Sequence, residues 1–272
     1  MKNIVKSLGE QSYVNTDAGM PGSSGSDTKT KHIIPNLTKV GNSISEFYGL
    51  QVEGVYKDWD EVNKGPYVTG NTKPGDYKYK DVNGDGKIDQ NDYVFIGSPL
   101  PKLTYGFYVS GGWWIFDYNV SFQGSYGNKI FNLTKYYTDG NREYNYSTRR
   151  LNAWSEENSS SSETQLGYTN YDNWDLPSSA YVESGSYLRL KDLVIGATLP
   201  DNLTKKLKIN KLRIYGEIQN VFTITNYSGF DPEVGNKNDG SNGGDNNNLD
   251  LGVDRGTYPQ ARTFLCGLNF AF

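Results

Sequence analysis

The sequence predicts an all-β fold, a transmembrane antiparallel β-barrel, on three observations. Apolar and polar residues alternate along several stretches, which is the period of a strand with two different faces. The chain has 22 Tyr and 31 Gly among 272 residues, a composition typical of strands and turns. Long and short connections alternate along the chain, as they do in barrels whose long loops share one rim.

Composition also excludes several classes of protein. The chain carries 27 basic and 31 acidic residues, a net charge of −4, which argues against nucleic acid as a partner. Cys266 and His32 are the single cysteine and histidine, so an internal disulfide and a Cys/His metal cluster are excluded. No apolar run is long enough for a transmembrane helix, whereas barrel strands cross lipid with a weaker signal.

The strands follow from the alternation. Within residues 114–123, the side chains of Phe116, Tyr118 and Val120 share one face, and Asp117 and Asn119 share the other. Between Leu190 and Leu193 the apolar side chains change face, which predicts a bulge or a strand buried on both faces. The predicted strands, in chain order, are residues 43–56, 103–110, 114–123, 187–199, 212–219 and 264–272.

Residues 1–43 are predicted as a partial strand and turn region without the long apolar stretch of a signal peptide. Residues 44–272 are predicted as C-terminal barrel strands with three long extracellular loops, at about residues 57–102, 125–184 and 226–261. A tight turn at Gly111-Gly112 and a short connection at residues 200–210 separate these loops. The strands of a soluble β-sandwich also alternate apolar and polar residues. The Greek-key connections of a sandwich, however, would not be expected to alternate strictly between long and short.

Residues 81–92 have the spacing of a calcium loop, with oxygen-bearing side chains at positions 1, 3, 5, 9 and 12 and a glycine at position 6. We expect a structural calcium ion there, which would stiffen an extracellular loop. The alternative is a bare hairpin tip, because Asn-Gly and Asp-Gly are strong turn dipeptides. The predicted ligands are Asp81, Asn83, Asp85, the backbone carbonyl of Lys87, Asp89 and Asp92.

The second long loop is rich in aromatic residues, whose flat faces stack on sugar rings or grip peptides. The alternative is that these rings pack the loop against itself. The weak candidates for ligand binding are Tyr136, Tyr137, Tyr168 and Trp174. No phosphate loop, Gly-x-Ser-x-Gly elbow or Cys–His pair occurs, so the sequence predicts no enzyme.

Seven motifs follow one another along the chain, at residues 75–89, 96–106, 122–129, 184–191, 219–223, 227–233 and 258–264. In this order they resemble the C-terminal third of SusC/RagA-type TonB-linked outer-membrane transporters. The resemblance extends from about residue 46 to the C-terminus. It includes the terminal aromatic residue Phe272, which resembles the signal read by the barrel assembly machinery and also suits a lipid girdle.

This resemblance implies import of glycans or peptides across the outer membrane of Bacteroidetes, energised through TonB, with a SusD-like surface lipoprotein as a lid. It also implies a plugged barrel of roughly 22 strands, of which this chain supplies six or seven by the alternation. We therefore expect a fragment whose contact with TonB is made through parts not in this chain. The alternative function is a secreted calcium-stabilised carbohydrate-binding or hydrolytic β-domain.

Overall fold

A computed structural model describes residues 3–15, 35–68, 70–140, 145–167, 171–205, 208–235 and 249–271. The strands are β1 (Tyr13–Asn15), β2 (Asn36–Lys39), β3 (Glu46–Gly49), β4 (Val52–Val55), β5 (Tyr77–Tyr79), β6 (Val94–Gly97), β7 (Leu103–Trp113), β8 (Phe116–Tyr126), β9 (Lys129–Asn132), β10 (Val182–Ser184), β11 (Tyr187–Thr198), β12 (Lys211–Thr225), β13 (Val253–Asp254) and β14 (Thr263–Ala271). Short helices are α1 (Trp59–Lys64), α2 (Thr134–Thr138), α3 (Tyr171–Trp174) and α4 (Asp201–Thr204).

The five long strands form one antiparallel sheet in the order β14-β12-β11-β8-β7. Strands that follow one another along the chain are therefore neighbours in the sheet, apart from the short strands inserted between them. The strands are 9 to 15 residues long, which suits tilted strands that cross a bilayer.

The two faces of this sheet differ in polarity. On one face, Phe107, Phe122 and Leu190 lie side by side across three strands, and Phe107 and Phe122 stack with ring centroids 4.5 Å apart. Most of this face is exposed in the chain, although Leu190 is buried, and Phe264 at its β14 edge is 70% exposed. The opposite face is polar, and Arg213 reaches across β11 to Asp117 with Nη2 and Oδ1 2.5 Å apart.

The change of face predicted within residues 187–199 is a β-bulge. The register of β11 shifts between Leu190 and Asp192 against both β8 and β12. Leu190 pairs with Phe122, and Leu193 pairs with Val120, so both leucines lie on the apolar face. The extra residue at the bulge therefore explains why Leu190 and Leu193, three positions apart, share a face.

The tight turn predicted at Gly111-Gly112 is wrong, because both glycines lie inside β7 and the turn is at residues 114–115. Trp114 takes the left-handed conformation there, with φ of 56°. Gly111 pairs with Tyr118 on β8, and a Cβ atom at Gly111 would come within 2.7 Å of the Tyr118 hydroxyl oxygen. The glycine is therefore required by a ring packed over the strand, and not by a turn.

The strand predicted over residues 43–56 is also wrong. The structure divides this segment into β3 and β4, which belong to different sheets, and the long sheet begins at β7. β3 lies in a four-stranded sheet of order β1-β2-β3-β6, and β4 pairs with β5. The chain departs from the β3 sheet at Leu50, because the backbone N–H and carbonyl of Leu50 form hydrogen bonds with residues 177–179.

The connections differ in length at the two ends of the long sheet. The turn at residues 114–115 and the connection at 199–210 lie at one end. The segments at residues 127–186 and 226–262 start and finish at the other end of the sheet, and the segment before β7 arrives there because Leu103 pairs with Tyr126. Among the residues that the structure describes, every helix is too short or too polar to cross a membrane.

Candidate functional site

The three long segments fold together into one packed body at their end of the sheet. Its buried core takes Phe47 and Tyr79 from the first segment, Phe131 and Trp174 from the second, and Val253 from the third. Aromatic pairs hold it together, with the centroids of Phe131 and Tyr181 4.7 Å apart and those of Tyr77 and Trp174 5.6 Å apart. Burial raises the pKa of the Tyr77 and Tyr181 hydroxyls, so both stay neutral.

Backbone pairing joins the first two segments inside this body. Leu50 donates its N–H to the Pro177 carbonyl at 2.9 Å, and Ser179 donates to the Leu50 carbonyl at 2.9 Å. Gly49 makes the approach possible, because a Cβ atom there would lie 2.4 Å from the Pro177 carbonyl oxygen. The body is therefore one unit of structure and not three independent loops.

The predicted calcium loop is held by its own side chains. The Asp81 carboxylate accepts hydrogen bonds from the backbone N–H groups of Gly84 at 2.6 Å and Gly86 at 2.8 Å. These bonds lower the pKa of the Asp81 carboxyl, and the bond from Gly86 has the larger effect. Asp92 is fully buried and accepts from the N–H groups of Val82 and Asp89, which ties the end of the loop to its start.

The other predicted ligands lie around the exposed tip. Asn83 and Asp85 bond each other, Lys87 donates its N–H to Asp85, and Asp89 caps the following helical turn. In the part of the chain that the structure describes, no three His, Cys, Asp or Glu side chains converge in a geometry suited to a metal ion. Calcium at this loop therefore stays a prediction.

The predicted aromatic ligand residues are divided between surface and core. Tyr137 is 41% exposed and meets Tyr136 edge to face, with centroids 5.2 Å apart. Trp174 is only 3% exposed, and its indole N–H donates to Thr164 Oγ1 at 3.3 Å. Trp174 therefore supports the packing alternative. Tyr168 and Phe272 lie outside the described residues.

A buried ionic cluster ties the third segment to the polar face of the sheet. Arg189 on β11 is 2% exposed, and its Nη2 donates to both oxygens of Asp231, at 2.8 and 2.9 Å. The same guanidinium bonds Glu233 and, at 2.8 Å, Thr223 Oγ1. Glu233 also accepts from Tyr187 and from Gln123 on β8, each at 2.8 Å.

Each charged group in this cluster has hydrogen-bond partners. Burial alone would raise the pKa of Asp231, but N–H groups of Glu233 and Gln260 and the Arg189 guanidinium hold it below its ordinary value. Because each charge has partners, the cluster is a structural attachment and not a general acid or base.

A second attachment holds the start of the third segment to the second one. Ser228 donates its N–H and hydroxyl to the two oxygens of Glu183, each at 2.8 Å, and Lys135 Nζ lies 2.8 Å from Glu183 Oε1. Burial would raise the pKa of Glu183, but Lys135 and Ser228 together lower it. Tyr227 donates to Asp254 at 2.5 Å, which joins the outgoing and returning parts of the third segment.

Sequence analysis does not identify Arg189, Asp231 and Glu233 as site residues. They lie in two of the motifs that carry the family resemblance, residues 184–191 and 227–233. A separation of 42 residues between Arg189 and Asp231 hides their contact. The available signal in the sequence was an arginine between two leucines, and two acidic residues on either side of a proline.

Comparison with known proteins gives relatives of one kind. No protein-family model matches the chain. The chain is 33% identical over 258 residues to TonB-dependent receptor P3 of Formosa agariphila, which covers 90% of the chain and 24% of that relative. It is 29% identical over 269 residues to TonB-dependent receptor SusC of Bacteroides thetaiotaomicron, with 97% of the chain and 22% of SusC covered. The chain thus spans about a quarter of the length of these relatives.

Solved structures agree on the fold. The structure of the RagAB peptide transporter matches 99% of this chain and 25% of the solved chain, with a TM-score of 0.70 and 21% sequence identity. The RagAB peptide importer in its closed-closed state matches with a TM-score of 0.67 and 21% identity. The expected strand architecture is therefore confirmed.

Proposed function

Since this chain belongs to the SusC/RagA family of TonB-dependent receptors, we propose that it is the C-terminal wall segment of a transporter that imports glycans or peptides. Its family places it in the outer membrane. The observation that supports the proposal best is the position of the packed body, because three long segments fold together at one end of strands with an apolar and a polar face.

In this proposal each face of the sheet has a separate role. The apolar face, with Phe107, Phe264 and Leu268, contacts outer-membrane lipid, and the polar face lines the pore. The packed body is extracellular and meets a SusD-like lipoprotein, and energy comes from TonB through parts outside this chain. Transport needs no catalytic residue in this segment. The apolar face argues against the alternative of a secreted β-domain.

Uptake by cells tests this function. A strain that lacks the receptor gene containing this chain is complemented with the intact receptor, and uptake of fluorescent oligosaccharides and oligopeptides is measured. We expect uptake to need the receptor and to stop when TonB is deleted or the proton-motive force is dissipated. Uptake that persists without TonB, or a receptor recovered from the soluble fraction without detergent, would contradict the proposal.

We also propose that residues 81–92 bind calcium as a structural ion. The spacing of the loop supports this, and so does Asp92, which closes the loop by accepting N–H groups from both of its ends. Binding requires Asp81 and Asp85 to turn from their backbone partners toward the ion. Extracellular calcium modules bind with Kd of about 10⁻⁴ to 10⁻³ M.

Calorimetry tests the calcium proposal. Titration of the purified intact receptor that contains this chain, in detergent, should give heat of binding in the millimolar range, and the pair Asp81→Asn and Asp85→Asn should abolish it. The matched control is Asp60→Asn, an exposed carboxylate on α1 outside the loop. Absence of heat with the native chain would overturn the proposal and leave the hairpin tip.

A further inference from the structure

A cavity of about 290 Å³ lies beside the buried ionic cluster, at the end of β12. β14 pairs with β12 only as far as Gln219, so the last residues of β12 extend beyond their neighbour. Residues 258–262 pass along this uncovered edge. The lining residues that matter for binding are Asn220, Phe230, Asp231, Pro232, Pro259 and Arg262.

Asn220 in this lining has an unmet hydrogen-bond acceptor. Its Nδ2 donates to the Ala261 carbonyl at 2.9 Å, but its buried Oδ1 accepts from no residue that the structure describes. Its backbone is left-handed, with φ of 52°. The left-handed turn lies where β12 carries an extra residue relative to β11, and asparagine tolerates this conformation. Buried polar atoms normally have partners, so the unpaired acceptor is open to a donor from outside the described residues.

Arg262 brings a guanidinium to the same cavity. No carboxylate among the described residues pairs with its guanidinium. Asp231, the acidic residue in the lining, is already saturated by Arg189 and two backbone N–H groups. A guanidinium binds a carboxylate through paired N–H donors.

The remaining residues of the lining favour a ligand that has an apolar part. Phe230 is 73% exposed, and with Pro232 and Pro259 it adds apolar surface beside these polar groups. Such surface packs against a ring or a side chain, whereas an inorganic anion would leave it uncovered.

We propose that this cavity binds the carboxylate of the transported ligand, with Arg262 holding the carboxylate and Asn220 Oδ1 accepting a hydroxyl or N–H of the same molecule. The inference rests on the proposed function of ligand uptake. Both an acidic sugar and the free C-terminus of a peptide have this chemistry, and the test separates them.

Binding of small probes by the purified intact receptor that contains this chain, in detergent micelles, tests the site. The acidic probes are glucuronate and the dipeptide Gly-Phe, and their neutral controls are glucose and the Gly-Phe amide. We expect an acid to bind more tightly than its neutral control, and the tighter acid identifies the ligand class. Arg262→Ala should weaken that acid at least about tenfold, and Arg262→Lys should restore part of the loss.

Two further variants keep the test independent of folding. Arg255→Ala removes the same charge from the same segment, but Arg255 pairs with Asp250 away from the cavity, so acid binding should stay unchanged. Asn220→Gly retains the left-handed backbone and removes the acceptor together with the Nδ2–H bond to the Ala261 carbonyl, so it should weaken the acid, and the thermal midpoint measured beside it reports the loss of that backbone contact.

The site is disproved if no acid binds up to about 10 mM, if acids and neutral controls bind equally, or if Arg262→Ala has no effect. The assay does not involve TonB. Loss of TonB-dependent uptake with intact acid binding would therefore reject the transport function and retain the site. Uptake that is indifferent to Arg262→Ala, together with unchanged affinity, would reject the site and retain the function.

Discussion

Arg189 connects more parts of the structure than the strand in which it lies. Its guanidinium bonds Asp231, Glu233 and Thr223, so it joins β11, β12 and the third long segment. Removing one member of a buried ionic cluster leaves its partners uncompensated, at a cost of about 3–5 kcal/mol. Arginine also meets carboxylates in a geometry that lysine cannot reproduce.

Arg189→Met should therefore release the third segment from the sheet. We expect faster hydrogen exchange in residues 226–235, measured by mass spectrometry, and a loss of about 3 kcal/mol in the free energy of unfolding. Arg255→Ala, which removes a partly exposed ion pair, should cost less than about 1 kcal/mol. Equal effects of the two variants would show that the cluster does not fix the segment.

Asp231 gives the attachment a dependence on pH. Its pKa lies below the ordinary value of 3.8, so its ionised form is stabilised by folding. This contribution is complete above the unfolded pKa and is lost as pH falls through the folded pKa. The urea midpoint should fall when the pH is lowered from 6 to below 3.8, and Asp231→Asn should flatten this dependence. An acid dependence that is unchanged in Asp231→Asn would assign it to other carboxylates.

At the scale of elements, β3 meets residues 177–179 through a close backbone contact at Gly49. Gly49→Ala places a methyl group against the Pro177 carbonyl, which cannot move as a side chain would. We expect a loss of about 1–3 kcal/mol. Gly54→Ala on β4 is the matched control, because nothing lies within 4 Å of its Cβ position. Urea unfolding of both variants measures the difference, and equal stabilities would contradict the contact.

The alternation of β14 gives a built-in probe of the two faces. Cys266 lies on the apolar face, between Phe264 and Leu268. A charged maleimide should therefore fail to label Cys266 in membranes. Cys placed at Asn269, on the opposite face, should react in a Cys266→Ala background. Rapid labelling of Cys266 in the membrane would contradict the assignment of the lipid face.

Strands were predictable where the signal is local. The five long strands follow from the period of two, and the bulge in β11 follows from the change of face at Leu190. The turn was placed wrongly because glycine at position 111 is required by the Tyr118 ring on the neighbouring strand. Nothing in the residues next to Gly111 in the sequence indicates this contact. The division of residues 43–56 was missed for the same reason, since Pro177 and Ser179 determine the path at Leu50.

The candidate sites also differ in whether they depend on local sequence or on tertiary contacts. The spacing of residues 81–92 is local, so it could be found in the sequence. The contact of Arg189 with Asp231 joins residues 42 positions apart, and the cavity depends on β14 stopping short of the end of β12. Such features depend on tertiary structure, which a single sequence does not contain.

For the whole molecule, the central claim is that five strands cross the outer membrane with the packed body outside. The sidedness rests on connection length, since the short connections lie at one end of the sheet and the long segments at the other. Barrels of this type have short periplasmic turns and long extracellular loops.

Epitope tags test this claim most directly. One tag is inserted between residues 235 and 249 of the third segment, and another in the connection at residues 199–210, each in the receptor expressed in its host. We predict that antibody binds the first tag on intact cells and the second only after the outer membrane is permeabilised. Binding to the second tag on intact cells, with the first hidden, would contradict the account.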